Sequence, residues 1–188
     1  MVYLIAVVSY LIGSIPTAYL AGRRLKGRDI REMGDGNVGA QNAFRYLGPR
    51  TGVAVGIVDA GKGALAVVIA QVAGLPLAGV MLAGLATIIG HNFPAFLGFR
   101  GGRGESTTVG VFLVMLTQPM LIASSLALVT LLRNKNVILA SVVLFVSLPL
   151  AGWWLGLSGQ LITYGIALPS LVGVTHYART RRKAMRSA

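Results

Sequence analysis

Apolar stretches at residues 1–21, 51–73, 76–98, 106–132, 137–156 and 159–177, each bounded by charge, Gly or Pro, constrain this chain more than any other feature. A helix rises about 1.5 Å per residue, so about 20 apolar residues cross the roughly 30 Å hydrocarbon core of a bilayer. With 188 residues, 55% of them hydrophobic and only 12% charged, the sequence predicts a small polytopic all-α membrane bundle, one domain over residues 1–188. The net charge of +12 suggests nucleic acid at first sight, but the basic residues fall between the apolar runs, where membrane topology places them. No nucleic-acid partner is therefore expected. The chain has no cysteine, which excludes disulfides, thiolate catalysis and thiolate metal sites. The segment from Met1 to Ala21 lacks the basic start of a signal peptide, and Arg23 and Arg24 follow the apolar run, so it reads as a retained span with its N-terminus outside.

Charge also arbitrates the number of crossings. The loop from Gly22 to Arg50 carries seven Lys or Arg against three acids and is expected in the cytoplasm, as is the segment from Arg100 to Glu105 after two more crossings. A single crossing by Ser106–Leu132 would put Arg133 and Lys135 outside, and later Arg179, Arg181, Arg182, Lys183 and Arg186 as well. Thr117-Gln118-Pro119 lies in the middle of that stretch, and proline both lacks a donor and disfavours helix before it. Two short helices turning near Gln118, each of about 12 residues or roughly 18 Å, return both basic patches to the cytoplasm. The count becomes seven spans with a cytoplasmic C-terminus; a re-entrant hairpin over 106–132 is the alternative. Gly74, Gly79 and Gly84 read as small residues for close helix packing.

Two polar islands interrupt the apolar pattern, Gly34–Arg45 (GDGNVGAQNAFR) and Gly90–Gly104 (GHNFPAFLGFRGGRG). Glycine turns present bare N–H groups to anion oxygens, and a guanidinium forks them bidentately. In the first island Gly34, Gly36 and Gly39 alternate with Asn37 and Asn42 and run to Arg45; an ordinary glycine-capped loop is the plain alternative. In the second, His91, Arg100, Gly101, Gly102, Arg103 and Gly104 precede Thr107 at a helix start, a second anion site. His91 is either a general base or a hydrogen-bonded structural residue.

Asp59 and Lys62, three residues apart within an apolar span, share a helix face. They are either an ion pair that fixes helix packing or a phosphate-facing lysine positioned by its carboxylate. His176 is the other histidine and the five acids are scattered, so no metal is expected, and neither a GxSxG elbow nor a Walker loop occurs.

Taken together, GSIP at Gly13–Pro16, YLAGRRLKGRDIRE at Tyr19–Glu32, GNVGAQN at Gly36–Asn42, Asp59 with Lys62-Gly63, and GHNFPAFL with GGRG at Gly90–Gly104 resemble the acyl-phosphate:glycerol-3-phosphate acyltransferase (PlsY) family of bacterial phospholipid synthesis. The motifs cover roughly the first 110 residues; beyond them hydropathy and a basic tail agree. The resemblance implies a seven-span fold in the bacterial inner membrane. It implies transfer of a fatty acyl group from acyl phosphate to the 1-hydroxyl of glycerol 3-phosphate, giving lysophosphatidic acid and phosphate. It further implies catalytic Asn42, Arg45, Lys62, His91 and Arg103, and substrate contacts from Ser14, Gly36, Asn37, Gly39, Asp59, Gly101, Gly102, Gly104 and Thr107. Neither cofactor nor metal is implied, and a monomer is compatible with it. The other large glycerophosphate acyltransferase group uses a histidine with an aspartate five positions on; Phe96 and Arg181 occupy those positions here.

The chain departs from the family's usual motif residues in several places. Asp35 stands for Ser, Gln41 for Thr, Arg103 for Lys, and Glu105 and Ser106 for small apolar residues. A third motif survives as His176 and Arg182, with Arg179 in an asparagine's place. A carboxylate at about 4 Å repels a phosphate by about 1 kcal/mol in water and about 4 kcal/mol at an effective dielectric near 20. Asp35 is therefore expected to point away, pair with an arginine or act as a base. The competing classes are an anion or lipid-phosphate transporter, because glycine-broken helices with buried charge also build transport sites, and an inactive paralogue.

Overall fold

The computed structural model describes residues 1–187, with side chains given through Arg181 and at Met185; Arg182, Lys183 and Arg186 of the basic tail lie outside the described side chains. Among the described residues the regular structure is helical throughout. Helices α1 (Val2–Ser14) and α2 (Thr17–Lys26) form one apolar span broken at Ile15-Pro16, where Ile15 turns extended at φ −61°, ψ 114°. Proline forces that break on the residue before it. A 3-10 turn at Ile30–Glu32 leads to α3 (Ala40–Leu47), α4 (Pro49–Val72) and α5 (Leu77–Asn92). After the second island come α6 (Glu105–Met115), α7 (Thr117–Asn134), α8 (Val137–Trp154) and α9 (Gly159–Ser187).

Five helical segments are long and apolar enough to cross a membrane: Val2–Lys26, Pro49–Val72, Leu77–Leu97, Val137–Trp154 and Gly159–Arg181. The stretch after residue 105 is two helices, as expected, with the break at Leu116 (φ −129°, ψ 46°), two residues before Gln118. Thr117, Gln118 and Pro119 form the first turn of α7. Proline is tolerated there because its missing N–H belongs to a turn whose donors have no intrahelical acceptor. The halves are also unequal: α6 has 11 residues and α7 has 18, or about 16 Å and 27 Å.

Backbones meet where glycine removes the side chain. A Cβ on Gly13 would lie 2.0 Å from the Thr87 carbonyl oxygen and one on Gly90 2.1 Å from that of Tyr10, which sets α1 against α5. Likewise a Cβ on Gly110 would lie 1.8 Å from the Ala60 oxygen and one on Gly63 2.1 Å from that of Thr107, which sets α4 against α6. Of the glycines expected to pack, Gly84 does so, under the Tyr164 hydroxyl and Val111. Gly74 instead faces open space and turns the chain at φ +68°, and Gly79 meets only Leu75. The core joins Val67, Val111, Phe112, Met120, Leu148, Tyr164 and Leu168; Phe112 meets the Tyr164 ring edge-on at 6.1 Å, and the Tyr164 hydroxyl donates to the Met81 carbonyl at 2.7 Å. A second cluster, Ala18, Ile30, Val38, Ala43, Leu47, Val55 and Leu97, lies beneath the polar islands and anchors both.

Candidate active site

The first island is a folded loop. The Asn42 amide donates to the carbonyls of Ile30 (3.3 Å), Met33 (3.0 Å) and Asn37 (3.1 Å), drawing three turns onto the start of α3. Gly34 and Gly36 hold φ of 58° and 74°, and a Cβ at Gly34 would strike the Tyr46 ring at 2.1 Å, so the turn requires glycine. The loop ends with Gly39 as the N-cap of α3, and Arg45 stands in the last turn of the same short helix.

The second island docks on the end of α5. The amides of Gly101 and Gly102 donate to the carbonyls of Asn92 (3.2 Å) and His91 (3.0 Å). A Cβ on Gly102 would lie 2.0 Å from His91 Nε2. Arg179 of α9 closes this loop: its guanidinium donates to the carbonyls of Gly101, Gly102 (2.6 Å) and Asn92 (2.5 Å) and lies 5.7 Å above the Phe93 ring. Gly104, at φ +87°, is then the N-cap of α6.

Between the islands, α4 carries a buried pair. Lys62 Nζ lies 2.7 Å from Asp59 Oδ1, the side chains being 6% and 2% exposed. The same ammonium donates to the carbonyls of Ile15 (2.7 Å) and Gly13 (3.4 Å) at the break between α1 and α2, where the Ile15 carbonyl also accepts from the Thr17 amide at 3.1 Å. The ammonium thus faces an ion-pair partner and two carbonyls inside the protein. His91 Nδ1 lies 3.9 Å from the same Asp59 oxygen.

A cavity of about 1270 Å³ opens among α3, α4, the first turn of α6, and the facing sides of α8 and α9. Its polar end is lined by Asn37, Gly39, Gln41, Arg45, Asp59, His91, Arg103, Gly104, Glu105, Ser106 and His176. The rest is an apolar trough, with Val142, Phe145, Pro149 and Trp153 from α8 facing Ile162, Ile166 and Pro169 from α9. Thus Asn37, Gly39, Arg45, Asp59, His91, Arg103 and Gly104 of the expected set meet at one wall. Gly36, Asn42, Lys62, Gly102 and Thr107 are absent from that lining and support it from behind. Lys62 differs from the phosphate-facing expectation, for its ammonium turns to the break in the first span. The Thr107 hydroxyl is buried without a hydrogen-bond partner. Ser14 donates to the Tyr10 carbonyl at 2.8 Å and, with Gly101 and His91, borders a separate void of about 10 Å³.

Two helix N-termini, those of α3 and α6, and two arginines converge on the polar end. Arg45 is exposed there and makes no hydrogen bond or ion pair among the described residues. Arg103 pairs with Asp35, Nη2 to Oδ2 at 2.8 Å. Glu105 accepts a hydrogen bond from Ser141 of α8 across the cavity mouth. Helix-start amides, helix dipoles and guanidinium groups are chemistry that suits an anion, and the apolar lining of the trough beside them suits a hydrocarbon chain. The clamp by Arg179 and the apolar lining on α8 are what sequence reasoning missed. A trough-facing residue on a wholly apolar helix looks the same in sequence as a lipid-facing one; the only signal is the spacing of Ser141, Phe145 and Pro149 with Trp153.

Residues 3–185 match the model of the family described as glycerol-3-phosphate acyltransferase. The chain belongs to that family. It is 51% identical over 182 residues to glycerol-3-phosphate acyltransferase 4 of Dehalococcoides mccartyi, a match covering 97% of this chain and 98% of that protein. It is 41% identical over 157 residues to the glycerol-3-phosphate acyltransferase of Chlorobium luteolum, covering 78% of this chain and 67% of that one. The crystal structure of PlsY, an integral membrane glycerol 3-phosphate acyltransferase, in its glycerol 3-phosphate form superposes with a TM-score of 0.86 at 31% identity, over 98% of this chain and 92% of that one. Its lysophosphatidic acid form gives 0.81 at 29%, with the same coverage. Like these acyltransferases, the chain is a multi-pass membrane protein.

Proposed function

We propose that this protein transfers a fatty acyl group from acyl phosphate to the 1-hydroxyl of glycerol 3-phosphate. The observation that carries this reading is the single cavity that joins an end lined by two arginines and two helix starts to an apolar trough between α8 and α9. Both substrates bear phosphate and one bears a long chain, which matches such a division. Arg45 with the N-terminus of α3 takes one phosphate, and Arg103 with the N-terminus of α6 takes the other. The acceptor oxygen attacks the acyl carbonyl, the carbon–oxygen bond to phosphate breaks, and the departing phosphate takes the hydroxyl proton. Atoms balance as lysophosphatidic acid and inorganic phosphate, and no protein nucleophile is needed. Holding the hydroxyl against the carbonyl and neutralising phosphate charge supply the rate. Asp59 and His91 shape the wall between the two sites, and Lys62 and Asn42 keep that wall in place.

The finer topology belongs to the same proposal. One domain over residues 1–188 crosses the bacterial inner membrane seven times, with α6 and α7 as separate crossings. The N-terminus is outside and both islands face the cytoplasm. It works as a monomer without cofactor or metal. The break at Leu116 and the basic loops support that count.

The test supplies palmitoyl phosphate and glycerol 3-phosphate to the purified protein in nanodiscs without metal, following phosphate and lysophosphatidic acid together. Equal amounts of both are expected. Arg45→Ala should lower kcat/KM by about 10- to 100-fold, the loss of a charge-assisted hydrogen bond of about 1.5–3 kcal/mol. Phosphate release without acylated product, or no turnover by folded protein, overturns the proposal.

A further inference from the structure

Asp35 and Arg103 lie 68 residues apart in sequence, one in each polar island, and their side chains touch. Both are departures from the residues usual at their motif positions, Asp for Ser and Arg for Lys. Arg103 lines the cavity, whereas Asp35 is absent from the lining and meets the guanidinium from outside.

The carboxylate is held in place. Its Oδ2 accepts from Arg103 Nη2 at 2.8 Å and its Oδ1 accepts from the Asn37 amide at 3.1 Å. Gly34 and Gly36 on either side hold left-handed φ, and a Cβ on Gly36 would lie 2.9 Å from the Arg31 carbonyl oxygen. The turn therefore presents the carboxylate in one position. Arg103 has no such support of its own. It sits in a run of glycines, its Nε is buried without a partner, and Asp35 is the acid it pairs with among the described residues. Its side chain is 15% exposed against 39% for Asp35, so the charge on the arginine is the more deeply placed of the two. A long guanidinium on a glycine-rich loop needs an orienting partner to keep a donor edge toward the cavity, while a lysine ammonium, a compact point charge, needs none.

We infer that Asp35 is a positioning residue for the phosphate-binding Arg103, and that the two act as a coupled pair. The inference rests on the proposed phosphate role of Arg103. It makes Asp35 favourable for substrate binding despite its charge, because the carboxylate is spent on the guanidinium. It also predicts that neither residue can be changed alone: serine at 35 leaves Arg103 without its orienting partner, and lysine at 103 is drawn onto Asp35 away from substrate.

The test is a double-mutant cycle of Asp35→Ser, Arg103→Lys and the double variant in nanodiscs. Binding of inorganic phosphate is measured by calorimetry, with KM for glycerol 3-phosphate and for palmitoyl phosphate measured in parallel. Ser at 35 keeps an oxygen for the Asn37 amide, and thermal stability of each variant shows that the loop stays folded. Each single variant should weaken phosphate binding, and raise the KM of the substrate that uses Arg103, by about tenfold. The double variant should return to within about threefold of the parent, so that the two losses do not add. Additive losses, or an Asp35→Ser variant that binds phosphate as well as or better than the parent, overturn the inference. A folded parent that binds phosphate without turning over acyl phosphate sinks the acyltransferase reading instead, and the calorimetric cycle still decides the role of Asp35.

Discussion

Lys62→Met separates the two roles that an intramembrane lysine can play. The ammonium neutralises Asp59 at 2.7 Å and satisfies the carbonyls of Ile15 and Gly13 at 2.7 and 3.4 Å, in a place where Asp59 is 1% and Lys62 6% exposed. Removing it leaves a buried carboxylate without its counter-charge, a loss of about 3–5 kcal/mol, and the Gly13 carbonyl short of a donor, about 1–3 kcal/mol, while Ile15 keeps the Thr17 amide. The sum, about 4–8 kcal/mol, is of the order of the whole stability of a small domain. The variant is therefore expected to lose most of its folded yield in detergent. Asp59→Asn combined with Lys62→Met removes both charges and should recover much of that yield, because neutral replacement of a buried pair costs far less than splitting it. Size-exclusion profiles and thermal unfolding followed by tryptophan fluorescence read both variants, and kinetics follow on whatever folds. If Lys62→Met unfolds like the parent and only KM rises, the lysine serves substrate and the reasoning here is refuted. A double variant no better than the single would refute the charge-balance part alone.

Gly110→Ala should separate α4 from α6. Moving the new Cβ from 1.8 Å to about 3.3 Å from the Ala60 oxygen takes about 1.5 Å of helix displacement. Overpacking of this kind costs about 1–3 kcal/mol, and a shift of about 1 Å at a reaction site lowers rate by about 100-fold, so kcat/KM and melting temperature should fall together. Outside the membrane, the Asp29 carboxyl is held below its ordinary pKa of 3.8, first by the side-chain hydrogen bonds from Arg31 and opposed by partial burial. A depressed folded pKa gives stability that is full above the unfolded value and is lost as pH falls through the folded one. Asp29→Asn should therefore melt about 2–4 °C below the parent at about pH 7, with the gap narrowing below about pH 4; a gap that is constant with pH contradicts it.

Hydropathy made the spans legible because lipid selects side chains by one property over a long run. The breaks inside them were harder to read. Pro119 announces an interruption, yet the helix yields at Leu116, since proline fits the first turn of the next helix. Pro16 marks the end of α1, and the Gly13 carbonyl left there gains meaning only once α4 brings Lys62 beside it. Glycine and arginine in the two islands marked the polar end of the cavity, where Arg45, Arg103, Gly39 and Gly104 meet. In sequence Asp35 was free to point away, pair with an arginine or act as a base, because the pairing that decides it is made between loops far apart in the chain. Arg179 was read as a substitution in a weakened motif, whereas its work is to hold three backbone carbonyls, which leave no trace in side-chain patterns.

That clamp gives the protein a direction in time. Ribosomes deliver α9 after every other helix, and Arg179 after every residue that lines the cavity, His176 included. Until it arrives, the carbonyls of Asn92, Gly101 and Gly102 lack the guanidinium that gathers them, and the second island rests over His91 on its own backbone hydrogen bonds without that clamp. A nascent chain already threaded into the bilayer is thus unfinished at its working end, and translation itself supplies the last fastening.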